Sequence, residues 1–197
     1  MLRCAVRRIL LARHGQTAWN ALGRLQGHTD IELDPTGREQ ARALADAVRD
    51  AGLTRVWSSD LARARETAAI VATELGLPPP EVDPDLRERR FGVFEGLTRD
   101  ECVANHPDAW RDWVAQTSHP PGGEPRADAI VRMQRAMLRV VADGTTLVVS
   151  HGAVMRLWLM ELLGTTIPLV GNATMYEVDQ VTSEGHDGAA FRAKLRA

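Results

Sequence analysis

The sequence predicts an α/β fold, a three-layer sandwich in which a mainly parallel central sheet carries helices on both faces. Three observations point there. Short apolar runs suited to buried strands alternate with longer stretches of helical periodicity. Two of these runs, Arg8 to Arg13 and Thr146 to Ser150, lead straight into a histidine and a glycine, His14-Gly15 and His151-Gly152. No repeat, low-complexity tract or linker interrupts the 197 residues, so one domain over 1–197 is expected, with 97–123 as a substrate-side insertion.

The elements follow in order. Arg8 to Arg13 (RILLAR) reads as a buried strand. Asp34 then caps a helix whose first position is Pro35, with Leu44, Ala47, Val48 and Ala51 as its apolar stripe and Gly52 as its stop. Arg55 to Ser58 is the next strand. Ser59 or Asp60 is expected to cap a second helix running to Leu75, before Gly76 and Pro78 to Pro80. Glu81 to Leu86 reads as a short strand. Residues 97–123 are mixed, with Trp110, Trp113, His106 and His119. Glu124 to Val141 has helical periodicity. Thr146 to Ser150 is the clearest strand and runs into an apolar helix ending at Leu163; residues 172–179 and 190–195 read as closing strands. Strand–helix alternation implies right-handed crossovers and ligands bound beyond the carboxyl ends of the strands, which is where His14 and His151 fall.

Bulk properties exclude several classes. A net charge of −2 gives no field favouring nucleic acid. No apolar run approaches the roughly 18 residues of a membrane span. The basic residues are nearly all arginine, with a lysine only at Lys194, so no Walker A Gly-Lys pair exists. Cys4 and Cys102 match no metal or redox spacing and fit a reducing compartment, so a cytoplasmic location is expected. The histidines lack H-x-x-x-H spacing, and neither a metal nor another cofactor is expected.

Arg13-His14-Gly15 combines planar guanidinium donors matched to phosphate oxygens with an imidazole and a glycine that lets backbone approach an anion. Alone it is a weak signal. It is joined by Gln26-Gly27-His28-Thr29-Asp30, by Ser58-Ser59-Asp60-Leu61-Ala62-Arg63, by Leu86-Arg87-Glu88-Arg89-Arg90-Phe91-Gly92 with Glu95-Gly96, and by Ser150-His151-Gly152. In this order the blocks resemble the histidine phosphatase superfamily, the group that includes the cofactor-dependent phosphoglycerate mutases, from residue 8 to about 175.

The resemblance implies a phosphoglycerate mutase-like fold and a role for each matched residue. His14 attacks phosphorus and becomes a phosphohistidine. Arg13, Arg63 and His151 hold the non-bridging oxygens. Glu88 protonates the leaving oxygen and then activates water. Gln16, Thr17, Asn20, Gln26, Gly27, Gly152 and the Ala153 amide line the phosphate and substrate pocket. Two physical requirements accompany these roles. His14 must be neutral, which Arg13 and Arg63 favour. Glu88 must carry a proton when the leaving group departs, so Arg87, Arg89 and Arg90 are expected to point outward as a solvated run. His28, His106, His119 and His186 are assigned to surface or substrate rim, and Trp110 and Trp113 to the acceptor side.

Phosphoglycerate mutases carry a longer insertion with paired basic residues for the substrate carboxylate. The stretch from Glu88 to Gly123 is short and shows no evident counterpart, and Pro125 replaces the Ser of the family's Gly-Glu-Ser. The expectation is therefore a phosphatase acting on a small phosphorylated metabolite, like the branch of broad-specificity, α-ribazole and glucosyl-3-phosphoglycerate phosphatases. A cofactor-dependent phosphoglycerate mutase is the alternative. A homodimer and a monomer both fit the sequence.

Overall fold

The computed structural model describes residues 4–140, 144–183 and 190–195. The ends of the chain, Val141 as the end of a helix, and His186 lie outside the described residues. Strand β1 (Cys4–Arg13) is followed by α1 (Ala18–Ala21), α2 (Pro35–Val48), β2 (Leu53–Ser58), α3 (Ala62–Glu74) and β3 (Glu81–Val82). Then come α4 (Arg99–Asn105), α5 (Pro107–Val114), α6 (Arg126–Arg139), β4 (Thr145–Ser150), α7 (Gly152–Leu163), β5 (Met175–Ser183) and β6 (Ala190–Leu195).

These strands form one sheet in the order β3-β2-β4-β1-β5-β6. The first four are parallel, β5 runs antiparallel to β1, and β6 runs antiparallel to β5. Side chains alternate across it as a strand requires. Ile9 and Leu11 of β1 join Val148, Met133, Met137 and Trp158 under α6 and α7. Leu10 and Ala12 join Leu147, Val149, Leu44 and Val71 under α2 and α3. Every residue of β4 is buried, the pattern of a strand covered on both faces. A third cluster, Phe91, Phe94 and Cys102 with Trp110 and Trp113 against it, packs beneath α4 and α5.

Some local expectations change. Asp34 caps α2 by accepting from the Gly37 N–H at 2.7 Å, as its sequence signature predicts. Neither Ser59 nor Asp60 caps α3. Its N-cap is Leu61, and the first free N–H, on Ala62, goes to the carboxylate of Asp30 in a distant loop. Asp60 is instead drawn to Arg87. The expected strand from Glu81 to Leu86 pairs only at Glu81 and Val82, because Pro84 turns the chain into a single 3₁₀ turn over Pro84–Leu86.

Register places the site. β1 and β4 are hydrogen-bonded with Arg13 opposite Ser150, and the His14 N–H donates to the Ser150 carbonyl at 3.0 Å. His14 and His151 therefore leave adjacent parallel strands side by side. The turn after β1 also needs two glycines. A Cβ on Gly15 would sit 2.4 Å from the Gly37 carbonyl oxygen, and one on Gly37 would sit 2.0 Å from that of Gln16. Their close approach seats the first turn of α2 against the loop that carries His14.

Candidate active site

A cavity of about 590 Å³ opens beyond the carboxyl ends of β1 and β4, within the range of small-molecule sites. Arg13, His14, Asn20, Gln26, Gly27, Arg63, Glu88, Gly152 and Ala153 line it, while His151 lies fully buried behind the wall. The imidazoles of His14 and His151 stand 5.0 Å apart, centroid to centroid. Two of the expected residues face elsewhere. Gln16 gives its side-chain amide to Asp34 and its backbone N–H to Gln40, tying the loop to α2. Thr17 is buried and caps α1 by accepting from the Asn20 N–H.

Hydrogen bonds fix the proton on each histidine. His14 Nδ1 lies 2.6 Å from the Gly15 carbonyl oxygen, which can only accept, so Nδ1 carries the proton and Nε2 keeps a free lone pair. Arg63 donates Nε–H to Nδ1 of His151 at 3.2 Å, so the neutral ring carries its proton on Nε2. Among the described residues that Nε2 is buried without a partner, and so is Nε of Arg13. Two N–H donors on residues that neighbour His14 are thus unsatisfied among the described residues, and an entering oxyanion would satisfy them.

The charges keep the histidines neutral. Burial holds His14 well below its ordinary 6.5, and Arg63 and Arg13 push the same way, against the Gly15 carbonyl. His151 is likewise held well below 6.5 by burial, then by Arg63, His14 and Arg13. Arg63 is itself pulled down to about 10, mainly by burial, and remains a cation at neutral pH. It is anchored through Nη1 to the Thr29 carbonyl at 2.9 Å and Nη2 to the Gly27 carbonyl at 2.8 Å. Glu95 closes this loop by accepting from the His28 and Thr29 N–H groups and from Phe91 N–H.

Glu88 sits at the N-terminus of α7. Its carboxylate accepts from the backbone N–H groups of Arg89 at 2.7 Å, Ala153 at 3.0 Å and Val154 at 2.9 Å. It thereby supplies the cap that His151, the formal N-cap, does not. The Glu88 backbone carbonyl is held in turn by His28 Nε2 at 2.8 Å and Arg132 at 3.1 Å.

The arginines around Glu88 do not all point outward. Arg87 pairs with Asp60, and Arg90 is exposed beside His28. Arg89 is buried and lines the cavity, because its Nε–H finds the Glu124 carbonyl at 2.8 Å. Trp113 reaches the cavity wall, whereas Trp110 packs behind it against Phe94. His119 lines the cavity, His28 supports Glu88, and His106 packs beside Phe94. The sequence alone does not mark Arg24, Arg126 or Arg156 as cavity wall, whereas Val114, Gln116, Thr117 and Ser118 on that wall belong to the segment 97–123 expected on the substrate side. Among the described residues no cluster of His, Cys, Asp and Glu is arranged to hold a metal ion.

Known proteins place this geometry. A model of the histidine phosphatase superfamily (branch 1) matches residues 9–192. The phosphoglycerate mutase-like protein 4 of Arabidopsis thaliana is 36% identical over 155 residues, covering 75% of this chain and 67% of its own. The Erwinia tasmaniensis protein named "Probable phosphoglycerate mutase GpmB" is 36% identical over 162 residues, covering 79% and 74%. Among solved structures, mycobacterial glucosyl-3-phosphoglycerate phosphatase in complex with VO3 superposes with a TM-score of 0.83 at 30% identity, over 96% of this chain and 98% of that one. Bacillus stearothermophilus YhfR superposes with a TM-score of 0.82 at 28% identity, over 96% of each chain. With its two strand-end histidines, its buried arginines and a match over nearly its whole length, the chain belongs to the histidine phosphatase superfamily, branch 1.

Proposed function

We propose that the protein is a phosphatase that hydrolyses small phosphate monoesters through a phosphohistidine on Nε2 of His14. One observation carries this reading. Nε2 of a neutral His14 is left without a proton on a ring 5.0 Å from that of His151, and two nearby donors, Nε–H of Arg13 and Nε2–H of His151, are buried without a partner among the described residues. In the proposed reaction, a phosphoryl group enters with its non-bridging oxygens on Arg13, Arg63 and His151. The His14 lone pair forms the N–P bond as the bond to the ester oxygen breaks, and the leaving oxygen takes a proton from Glu88. Water then attacks phosphorus, Glu88 recovers its proton, and His14 is released with inorganic phosphate.

The resting pose of Glu88 adds a condition. Its Oε2 accepts from the Ala153 N–H, and that amide is the one expected to face phosphate. In the proposed cycle a phosphate oxygen takes over this N–H, and the displaced carboxyl turns toward the leaving group. The test is hydrolysis of phosphomonoesters by the wild-type protein and by His14→Ala. We expect the substitution to lower turnover by about 10⁴-fold or more, as for loss of a covalent nucleophile. Turnover that persists in His14→Ala would overturn the reading.

A second reading, a cofactor-dependent phosphoglycerate mutase, is favoured by the names of the relatives at 36–37% identity. The two separate on one assay, phosphate release against 3-to-2 phosphoryl transfer with 2,3-bisphosphoglycerate present. Transfer that outpaces release would favour the mutase.

A further inference from the structure

The proton on Nδ1 of His14 rests on one acceptor, the Gly15 carbonyl at 2.6 Å. That carbonyl belongs to the peptide unit joining Gly15 to Gln16, and the other end of the same unit is also held. The Gln16 N–H donates to Oε1 of Gln40 at 2.8 Å. A backbone N–H can only donate, so it is the amide oxygen of Gln40 that faces it. One chain of hydrogen bonds therefore runs from the Gln40 side chain, through a single peptide, to the His14 ring. Gln40 lies on α2 one turn after Gly37, whose backbone is packed against Gly15 and Gln16. The next peptide is tied to the same helix, since Asp34, the N-cap of α2, donates its N–H to the Gln16 carbonyl at 3.0 Å.

Gly15 has no side chain whose packing could fix this peptide, so its orientation depends on what its polar groups meet. Hydrogen bonds in a chain polarise one another, by roughly 10–30% per bond. With its N–H engaged by Gln40, the peptide offers His14 a stronger acceptor, which keeps the proton on Nδ1 and the lone pair on Nε2. This hold tightens during reaction. As Nε2 bonds to phosphorus the ring becomes cationic, and a charge-assisted hydrogen bond is about twice as strong as a neutral one. An interaction that is stronger in the transition state than in the ground state speeds the chemical step rather than binding. Gln40 is not among the residues that line the cavity, so it acts on His14 only through the peptide.

We propose that Gln40 is a positioning residue for the nucleophile, holding the Gly15–Gln16 peptide so that His14 presents Nε2 unprotonated to phosphorus. This inference rests on the reading of His14 as the phosphorylated residue.

The test compares the wild-type protein with Gln40→Met, which keeps the length of the side chain and loses the oxygen, and Gln40→Glu, which keeps an oxygen acceptor. Two readouts are taken, steady-state hydrolysis of p-nitrophenyl phosphate and the ¹⁵N spectrum of the His14 imidazole. In Gln40→Met we expect kcat to fall by about 10- to 100-fold, the range seen when the partner that orients a functional histidine is removed, with KM changed by no more than about twofold. The spectrum should change from Nδ1-protonated to a mixture of tautomers. Gln40→Glu should keep the wild-type tautomer and a kcat within about threefold of wild type, a rescue that a packing role would not give. A kcat or a tautomer that is unchanged in Gln40→Met, or a Gln40→Glu variant as impaired as Gln40→Met, would overturn the positioning role alone. A wild-type protein that releases no phosphate would overturn the phosphatase reading, while the spectra, which need no turnover, would still decide whether Gln40 sets the tautomer.

Discussion

Arg63 donates its Nε–H to Nδ1 of His151 at 3.2 Å, and this single bond orients the proton of a histidine from another element. The proton of the neutral His151 lies on Nε2, which has no hydrogen-bond partner among the described residues. Arg63 also grips the carbonyls of Gly27 and Thr29, so it couples the loop after α1 to the end of β4. The first prediction concerns this coupling. Arg63→Gln should lower kcat/KM by about 10²- to 10³-fold, the usual cost of losing one oxyanion donor. ¹⁵N-resolved imidazole spectra should show Nε2-protonated His151 in the wild type and a mixture of tautomers in the variant. An unchanged His151 spectrum would contradict the assignment.

Glu88→Gln should separate substrates by their leaving groups. Esters of poor leaving alcohols should slow by about 10²-fold or more, the scale of general acid catalysis, and p-nitrophenyl phosphate far less. Steady-state rates across a series of aryl and alkyl phosphates check this. Equal slowing across the series would mean that Glu88 is not the proton donor.

Arg132 supports the Glu88 segment from behind. It donates to the carbonyls of Asp85, Arg87 and Glu88 and pairs with Glu124, with side chains only 13% and 17% exposed. Arg132→Met leaves an unpaired, largely buried carboxylate and should cost about 3 kcal/mol of stability. The double variant Arg132→Met/Glu124→Met should recover part of that loss. Urea unfolding of the two variants checks both statements, and additive losses would contradict the pairing.

Stability should fall in mild acid because two histidines are buried neutral. Both His14 and His151 have pKa values depressed below 6.5 in the fold, so the unfolded chain binds more protons between those values and 6.5. Their contribution is whole above pH 6.5 and declines as pH falls below it, by about 1.4 kcal/mol per pH unit for each histidine. Unfolding free energies measured from pH 7.5 to 5 check the slope, and His151→Asn should lessen it. A slope that is the same in the variant would contradict a neutral, buried His151.

How much of this was legible in the sequence depended on whether a residue's role was local. The strand-end placement of His14 and His151 follows from two apolar runs that stop at a glycine-flanked histidine, and the structure puts them on adjacent parallel strands. The Asp34-Pro35 start of α2 likewise needs only its own neighbours. The cap of α3 has no local signature, because the Ala62 N–H goes to Asp30, more than thirty residues earlier. The three arginines that flank Glu88 form a charge run of the kind that is ordinarily solvated, and Arg89 departs from it. Its inward turn depends on the Glu124 carbonyl, a partner with no local signature. The α7 cap by Glu88 was invisible for the same reason, since the N-cap position itself holds His151.

The proton on Nδ1 of His14 makes the central claim specific to one atom. The most direct measurement is to quench the wild-type protein with base during turnover of a phosphomonoester and map the phosphorylated residue. Isomer-specific antibodies or ³¹P NMR then identify the nitrogen. The expected result is an acid-labile phosphohistidine at His14, joined through Nε2 and absent from His14→Ala. Phosphorylation at another residue, phosphate on Nδ1, or steady turnover with no phosphoenzyme under rapid quench would contradict the account.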